Sequence, residues 1–530
     1  MKNFRFFFFL IFFCSLLFFS GCEENHPPVI VSVKITPENP SSYDGLLCEI
    51  SVTDEDGNLS SVEFEWFVNN DSVIRKPRRS ISGSSYADND FLPFSYTNPL
   101  DIVRCDVTVH DDEQEKVIAS ASVEILPYRI HGLNFSPYID GQDPNYGIPI
   151  DENQIRERMT IIAPYTNWIR TFGCSNGLEV SGRIAHELGL KAAIGAWLSK
   201  DFQANQKEID NLIKVGKAGE ADLLIVGSEV LHRNDMSEYE LIDYINQVKA
   251  AVPKIKVTTA DVYYDLVAHP EVIKACNVLM VNYYPYWEGN HINRAIGNLH
   301  ARHQEVIANS KGKKIIVSET GWPSAGDTIR NAVPSLENAC YHFLNFVSWA
   351  RAEGFEYFYF EAFDEQWKDQ YEGPQGAHWG VWDKYGQMKT CMLDVFKGLT
   401  TEDNWTCKEK PGGPGKPEIK FTYVPPYNSY ENLRGRVLHV WPDEYRVAVY
   451  IYVYGGWWNK PYWNKPLTAI DCDGNWVCDI TTGGIDPRAT RINAYLVSAN
   501  YNPPILSGDS LPQELEQIAV AWVKVQRNPE

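Results

Sequence analysis

The middle of the chain alternates short, continuous apolar runs with longer amphipathic stretches. Strands of a parallel sheet are covered on both faces, so their sequences are unbroken apolar runs of about 4–8 residues. Eight parallel strands separated by helices, within roughly 270 residues, predict an α/β fold, a (β/α)₈ TIM barrel at 128–400. The predicted strands are 132–136, 168–172, 191–195, 223–229, 255–261, 278–284, 314–319 and 357–361.

The fourth and seventh predicted strands each end in a glutamate. Glu229 follows Leu223-Leu-Ile-Val-Gly-Ser228, and Glu319 follows Lys314-Ile-Ile-Val-Ser318 and leads into a Gly/Trp/Pro loop. Catalytic residues of such barrels lie at the C-terminal ends of the strands. Retaining glycoside hydrolysis needs two carboxyl groups about 5–5.5 Å apart, one as proton donor and one as nucleophile. Either glutamate alone could be a loop or capping residue, but two on matched strand ends favour a catalytic pair.

Before the barrel, apolar and polar residues alternate with a period of two. Every second residue of 62–68 is apolar, which is typical of a half-buried strand. Cys48, Trp66 and Cys105 follow the order of the cysteine pair and tryptophan in an immunoglobulin-type core, and an exported chain permits the disulfide. We therefore expect residues 27–127 to form an immunoglobulin-like β-sandwich that acts as a spacer.

After the barrel, a Gly/Pro-rich linker at 401–417 precedes a further region of strand-like alternation. The pattern predicts a small β-sandwich accessory domain at 418–530. Within it, residues 470–478 surround an Asp-Gly pair and predict a β-hairpin. Cys472 and Cys478 could be bridged across this hairpin.

The predicted C-terminal domain also contains a short aromatic repeat. Trp458-Asn-Lys-Pro461 recurs as Trp463-Asn-Lys-Pro466, with Trp457 and Tyr462 beside it. Aromatic faces pack against the C–H faces of sugar rings, and a proline-stiffened loop presents them at a low entropic cost. The domain could therefore bind carbohydrate. The alternative is that these aromatic rings close the edge of the sandwich.

The first 22 residues have the features of an export signal. Lys2 and Arg5 precede an apolar run that ends in Ser20-Gly21-Cys22, as in a secretory signal peptide. A cysteine at this point resembles the bacterial lipobox, which implies lipidation of Cys22; an ordinary signal-peptidase cut is the alternative. The acidic pair after Cys22 resembles the surface-export signal of some Gram-negative lipoproteins. We expect a chain held by its lipid anchor only, on the outer membrane of a Gram-negative bacterium, facing outward.

Charge and motif content exclude several classes of function. The formal net charge of −21 argues against binding of nucleic acid or anionic polysaccharide, because an acidic surface repels both. A neutral substrate is compatible with this charge. The sequence has no CxxC, HExxH or phosphate-loop motif, and its histidines do not cluster. We therefore expect no metal and no organic cofactor.

Four segments resemble the motifs of glycoside hydrolase family 17, the β-1,3-glucanases. They are Val226–Leu231, Val281–Tyr286, Val317–Ser324 and Phe360–Lys368. In addition, Gly132–Tyr138 resembles the start of the bacterial members. The resemblance covers about 130–400 and keeps the order of the motifs. It implies that Glu229 is the acid/base and that Glu319 is the nucleophile.

The resemblance also implies roles for residues around the two glutamates. Glu361, Glu365 and Lys368 would orient the acid and balance the extra negative charge, while Asn282 and Tyr284 would stand beside the bond being cleaved. Six aromatic residues are candidates for stacking on glucose rings: Tyr138, Trp287, Trp322, Phe363, Trp367 and Trp379.

One position departs from the family pattern. The residue before the acid/base is usually an asparagine that hydrogen-bonds the sugar 2-hydroxyl, and here it is Ser228. Bonds to this hydroxyl strengthen in the transition state, so activity could be lower, or Asn282 could replace the contact.

The expected function is retaining hydrolysis of a β-1,3-glucan polysaccharide or oligosaccharide of the laminarin type by a monomer. One alternative is a surface glycan-binding lipoprotein on a catalytically impaired hydrolase scaffold. The other is a β-1,3-glucan transglycosylase, since a covalent glycosyl-enzyme can be attacked by sugar instead of water.

Overall fold

The computed structural model describes residues 25–463 and 466–528. The predicted signal segment with Cys22, and two residues of the second aromatic repeat, lie outside the described residues. The chain divides into two compact units, one ending at Leu126 and the other beginning at Pro127. Within the described ranges, no helix is both long enough and apolar enough to cross a membrane.

The N-terminal unit has two antiparallel sheets around one core. One sheet has the strand order β1-β2-β6, and the other has the order β4-β3-β7-β8, with β5 paired to β3. Its strands are β1 Val29–Thr36, β2 Leu46–Thr53, β3 Leu59–Val68, β4 Asp71–Arg75, β5 Arg79–Ser80, β6 Ser85–Leu92, β7 Ile102–Asp111 and β8 Lys116–Glu124.

The core of this unit contains the predicted tryptophan and cysteine pair. Trp66 is fully buried and donates its Nε1–H to Asp90 Oδ2 at 2.9 Å. Cys48 and Cys105 are both buried but are free thiols, so the disulfide that their order permitted is not formed. A hydrogen bond with Cys48, together with burial, raises the pKa of the Cys105 thiol, which keeps it protonated.

All eight strands expected in the middle of the chain are present in one parallel sheet. Each strand pairs with the next one along the chain, and a bridge between Leu133 and Tyr359 brings the last strand region back to the first. The nearly closed sheet confirms the predicted (β/α)₈ barrel. Its strands are β9 Ile130–Asn134, β10 Thr166–Arg170, β11 Lys191–Ala196, β12 Leu223–Ser228, β13 Lys256–Val262, β14 Leu279–Asn282, β15 Ile315–Glu319 and β16 Glu356–Tyr357.

Helices surround the barrel sheet, and side chains of the sequence mark their ends. Asp201 caps α3 by accepting the N–H groups of Gln203 and Ala204, and Ser237 forms a capping box with Glu240 at the start of α4. The helices are α1 Glu152–Ile162, α2 Ser181–Glu187, α3 Phe202–Ala218, α4 Glu238–Ala251, α5 Tyr263–Ala268, α6 Pro270–Ala275, α7 Ala295–Asn309, α8 Leu336–Glu353, α9 Asp369–Glu372 and α10 Leu393–Lys397.

Burial on both faces explains the unbroken apolar runs. In β12, Leu224 and Val226 belong to the core between the sheet and the helices, whereas Leu223 and Ile225 belong to the core inside the barrel. Every residue of this strand is buried. The strand therefore delivers the next residue, Glu229, to the C-terminal end of the barrel.

The C-terminal region again has two antiparallel sheets. Their strand orders are β17-β18-β21 and β23-β20-β19-β22-β24, and an apolar core is shared between them. The elements are β17 Glu418–Tyr423, β18 Leu433–Leu438, β19 Tyr445–Val453, β20 Gly456–Lys460, β21 Asn475–Cys478, β22 Arg491–Ser498, β23 Ser507–Asp509, α11 Leu515–Ile518 and β24 Ala521–Gln526.

The predicted bridge between Cys472 and Cys478 is wrong. Cys472 is bonded to Cys407, and a second disulfide joins Cys340 to Cys391. Cys478 ends β21 and is buried in the core of the C-terminal sheets, whereas Cys472 lies in the turn before that strand. The two side chains therefore have different surroundings although they are near in sequence.

The segment predicted as a linker is held in its first half. Trp405 is buried and packs in the barrel core, and Cys407 is bonded to the C-terminal domain. On the barrel side, Arg294 forms an ion pair with Asp473. These contacts join the barrel and the C-terminal sheets into the second compact unit.

Candidate active site

A cleft of about 910 Å³ opens at the C-terminal ends of the barrel strands. Glu229, directly after β12, and Glu319, at the end of β15, both line it. In the sheet, two strands, β13 and β14, lie between β12 and β15. The cleft is thus the place where a (β/α)₈ barrel carries its chemistry.

Donors surround the carboxylate of Glu319. Arg170 Nη1 lies 2.7 Å from Glu319 Oε1, and both side chains are buried. The Ser228 hydroxyl donates to the same oxygen at 3.1 Å, and the Tyr284 hydroxyl donates to Oε2 at 2.6 Å. A cation and two hydroxyl donors are the contacts that stabilise an ionised carboxylate. Glu319 is therefore the carboxyl group of the pair that has a buried cation as its partner.

Glu229 has a contrasting environment. Its Oε1 accepts one hydrogen bond, from Asn282 Nδ2 at 2.8 Å. Burial and the nearby charge of Glu319 raise the pKa of Glu229, and the Asn282 bond offsets only part of this effect. The residue has a left-handed backbone, with φ of 54°, a conformation that non-glycine residues adopt at functional sites at some cost in energy. Burial and the neighbouring charge thus favour the protonated form of Glu229.

Asp261, at the C-terminal end of β13, supports the turn that carries Glu229. Its carboxylate accepts the N–H groups of Leu231 at 3.0 Å and of Val262 at 2.8 Å. Burial, followed by the charge of Glu229, raises the pKa of Asp261 to about 7. Asp261 was not among the residues predicted from the sequence, although a carboxylate at a strand end is the same signal that identified the two glutamates.

Arg170 and Asn134 were also missed. Arg170 Nη1 donates to Asn134 Oδ1 at 2.7 Å, and its Nη2 donates to Ser228 at 3.0 Å. Asn134 Nδ2 in turn donates to the carbonyl of Ser318 at 3.0 Å. All of these groups are buried. A charged residue inside an apolar strand run was the available signal, because a buried charge requires a partner.

Asn282 links the two glutamate strands. In addition to its bond to Glu229, its Oδ1 accepts the Ser318 hydroxyl at 2.5 Å. This second bond fixes the orientation of the amide, so its Nδ2 points at the Glu229 carboxyl. The structure thus brings Asn282 and Tyr284 to the two predicted catalytic residues.

Glu361, Glu365 and Lys368 form a buried ion triad after β16. Lys368 Nζ lies 2.5 Å from Glu361 Oε2 and 2.8 Å from Glu365 Oε2. The other oxygen of Glu365 accepts the Ser136 hydroxyl at 2.5 Å and Trp367 Nε1–H at 3.0 Å. Burial raises the pKa of Glu361. For Glu365, the charge of Lys368 and hydrogen bonds with Glu361, Lys368 and Ser136 together outweigh burial and lower the pKa. The triad's described hydrogen bonds run to Ser136 and Trp367, not to Glu229.

The six aromatic candidates separate into two groups. Tyr138, Trp287, Trp367 and Trp379 line the cleft. Trp322 and Phe363 lie away from it in the barrel core, where each is about 1% exposed, so the expectation that they stack on sugar is corrected. Trp197 was not predicted; it lines the cleft, is 42% exposed, and has the Arg233 guanidinium 4.4 Å from its ring centre.

In the described residues, no three histidine, cysteine, aspartate or glutamate side chains are grouped so as to hold a metal ion.

Comparison with known proteins identifies relatives of the barrel. Residues 132–380 match the family described as the BtgE/BtgC glycoside hydrolase domain. A glucan 1,3-β-glucosidase of Candida albicans is 29% identical over 276 residues, covering 46% of this chain and 90% of the relative. One from Schizosaccharomyces pombe is 31% identical over 228 residues, covering 39% of this chain and 71% of the relative. Among solved structures, a family 17 β-1,3-glucanosyltransferase from Rhizomucor miehei is 33% identical, covering 50% of this chain and 96% of that one, with a TM-score of 0.45.

The matched region contains both strand-end glutamates and the strands that carry them. The identity to the S. pombe enzyme extends over most of that relative's length. The resemblance found in the sequence is therefore confirmed: the chain is a glycoside hydrolase and belongs to glycoside hydrolase family 17, the β-1,3-glucanase family.

Proposed function

We propose that this protein hydrolyses β-1,3-glucan with retention of configuration, with Glu319 as the nucleophile and Glu229 as the acid/base. The observation that carries the proposal is the contrast between the two carboxyl groups in one cleft. Arg170, Ser228 and Tyr284 donate to Glu319, whereas burial and the charge of Glu319 raise the pKa of Glu229. Such a contrast separates acid from nucleophile in retaining hydrolases.

In the first step, a Glu319 oxygen attacks the anomeric carbon while Glu229 gives its proton to the glycosidic oxygen that leaves. The products of this step are a covalent glycosyl ester of Glu319 and a free reducing-side sugar. In the second step, Glu229, now ionised, takes a proton from water, and the resulting hydroxide oxygen bonds to the anomeric carbon. The ester breaks and Glu319 regains its charge, which Arg170 stabilises.

Ser228 is expected to serve the nucleophile rather than the sugar. Its hydroxyl accepts from Arg170 and donates to Glu319, so both of its usual roles are taken within the protein. The 2-hydroxyl contact that the family makes at this position is then lost or made by another group. We therefore expect a lower rate than a family member with asparagine there, since this contact strengthens in the transition state.

Azide rescue distinguishes the roles of the two glutamates. With an activated aryl glucan oligosaccharide, Glu319→Ala should give an α-glycosyl azide, because azide enters where the nucleophile stood. Glu229→Ala should give a β-glycosyl azide, because azide attacks the covalent intermediate from the opposite face. Without azide, each variant should lose at least about three orders of magnitude on unactivated β-1,3-glucan.

Glu208→Gln is the matched control, because Glu208 also lines the cleft but its carboxylate is held by the N–H groups of Cys174 and Trp197. We expect this variant to retain turnover and to form no azide product. Absence of turnover by the wild-type chain, with glucan still bound, would favour a glycan-binding protein instead. Longer oligosaccharides among the products would identify transglycosylation.

We also propose that the chain is exported and lipidated at Cys22, and that it acts as a monomer on the outer face of the outer membrane. The sequence of residues 1–24 supports this. The N-terminal unit would serve as an immunoglobulin-like spacer, and the C-terminal sheets as a β-sandwich accessory domain. Metabolic labelling with an alkyne fatty acid should mark the wild type and not Cys22→Ser, and external protease should degrade the labelled protein on intact cells.

A further inference from the structure

A second groove lies on the C-terminal domain, at the end of β20. It has a volume of about 500 Å³, and its lining includes Trp458, Pro461, Tyr462, Trp463, Ile485 and Asp486. We call it the aromatic groove. It contains the first copy of the aromatic repeat found in the sequence and the tryptophan that begins the second.

The aromatic rings of this groove are open to solvent. Tyr462 is 46% exposed and Trp463 is 56% exposed. The rings of Trp458 and Trp463 are within 12° of parallel, with centres 6.4 Å apart. Rings that only closed the edge of a sheet would be covered by neighbours, since burial is their contribution to stability. The exposed rings of Tyr462 and Trp463 are instead suited to the C–H faces of sugar rings, and the partly buried Trp458 supports Trp463 from the domain core.

A buried polar network holds the floor of the aromatic groove. Lys460 and Asp486 form an ion pair in which both side chains are buried. Lys460 Nζ also donates to the Thr482 hydroxyl at 3.0 Å, and that hydroxyl donates to the carbonyl of Pro461 at 2.6 Å. Lys460 and Pro461, directly before Tyr462, are therefore held by contacts within the domain, which lowers the entropic cost of binding. Its charges are already paired, so the groove suits an uncharged ligand.

The domain that carries the aromatic groove packs against the barrel beside α7. Tyr264 lines the cleft, and Asp265 follows it in the chain and pairs with His232, which also lines the cleft. Arg302 of α7 lies 3.4 Å from Glu288, which also lines the cleft, and its guanidinium is 5.3 Å from the ring centre of Tyr263. The C-terminal domain packs against the same helix. The groove therefore belongs to a domain that lies on this side of the cleft.

Covalent and ionic contacts hold the domain that carries the groove on the barrel. The Cys407–Cys472 disulfide and the Arg294–Asp473 ion pair attach the domain to the barrel. Cys472 also packs directly against Gly297 of α7: a β-carbon at this glycine would be only 3.8 Å from the Cys472 sulfur. The C-terminal domain and the barrel are therefore in close contact here.

We propose that the aromatic groove is a binding site for β-1,3-glucan that continues the catalytic cleft on the side of Tyr264. This inference rests on the proposed function. A long, neutral glucan chain that occupies the cleft would extend over Tyr264 and stack on Tyr462 and Trp463. An oligosaccharide of three sugars is short enough to bind within the cleft without touching the groove. The groove thus makes the enzyme prefer polymer over short substrate.

Kinetics on substrates of two lengths test this proposal. Tyr462→Ala and Trp463→Ala should each raise KM for laminarin by about 3- to 10-fold, the effect of losing one aromatic contact. Activity on laminaritriose should stay within about twofold of wild type, which also shows that the variants are folded. The matched controls are Tyr430→Ala and Trp522→Ala, whose rings are 74% and 45% exposed on the same domain but outside the groove; they should leave both substrates unchanged.

Direct binding separates this proposal from the proposed function. In a Glu319→Gln background, electrophoresis through gels with laminarin should retard the chain, and the Tyr462→Ala and Trp463→Ala changes should reduce that retardation. Unchanged laminarin KM and unchanged retardation would overturn the groove proposal. Retardation only in gels with a β-1,4-glucan would overturn it too. If the unmutated chain binds laminarin through the groove but cleaves neither substrate, the proposed function fails and the groove proposal stands.

Discussion

Arg170 lies beneath the cleft, where its guanidinium contacts Glu319, Ser228 and Asn134. Its plane also stacks on Phe172, with 4.6 Å between the guanidinium carbon and the ring centre. A buried cation of this kind offsets the cost of keeping Glu319 charged away from water. Glu229 forms no ion pair within the part of the chain that the structure describes, and burial and the charge of Glu319 raise its pKa.

Arg170→Gln should therefore lower both activity and stability. We expect kcat/KM to fall by at least about 100-fold, because Glu319 loses its charge partner, and unfolding free energy to fall by about 3–5 kcal/mol, as for a buried pair with one partner removed. Steady-state kinetics and urea unfolding measure the two effects. Arg170→Lys keeps the charge but not the forked geometry of the guanidinium. This variant should recover part of the lost kcat/KM and part of the lost unfolding free energy. Wild-type activity in Arg170→Gln would contradict the role we give this residue.

The pH profile reports on Glu229 and its neighbour Asp261. Glu229 must be protonated to act as the acid, so kcat/KM should fall as the pH rises through its raised pKa. Asp261→Asn removes a neighbouring negative charge and makes ionisation of Glu229 easier. The basic limb should then move to lower pH by about 0.5–1 pH unit, with little change in KM. A basic limb that does not move would show that Asp261 has only a structural role.

At the scale of single elements, the strands could be predicted from the sequence, but the side-chain contacts between them could not. β12 and β15 were found because burial on both faces requires an unbroken apolar run, and the glutamates were found because they end those runs. Arg170 was missed because its role depends on a residue 149 positions away, and periodicity within one strand carries no information on such a partner. The family motifs supplied the triad after β16, but not the contacts that it makes.

That triad should stabilise the end of β16. Lys368→Met leaves Glu361 and Glu365 buried without their cation, and we expect a loss of about 3–5 kcal/mol in unfolding free energy at neutral pH. The loss should be smaller at low pH, where one carboxyl group can take a proton instead. Thermal unfolding of the variant and the wild type, from neutral to low pH, measures this loss of stability. Lys384→Met, which removes an exposed lysine paired with Asp140, is the control and should cost less than about 1 kcal/mol.

At the scale of the whole molecule, long-range pairing decides how the barrel and the C-terminal sheets are joined. A hairpin with two cysteines six positions apart made a local bridge the obvious expectation. Cys472 instead pairs with Cys407, which is 65 positions away. Nothing in the local sequence distinguishes the two partners, because the choice depends on how the C-terminal domain packs against α7. The buried Trp405 is part of the same packing.

Removing this bridge should loosen the C-terminal domain without disabling the barrel. Cys407→Ser/Cys472→Ser should lose about 2–4 kcal/mol of unfolding free energy and keep its activity on laminaritriose. Its KM for laminarin should rise, because the aromatic groove is then held less firmly beside the cleft. Cys340→Ser/Cys391→Ser is the matched control: it removes a disulfide of similar separation, 51 positions, that joins two barrel segments. The control should lose comparable stability but keep the laminarin KM of wild type. An equal rise in KM for both double variants would mean that general destabilisation, and not the position of the groove, sets the affinity for polymer.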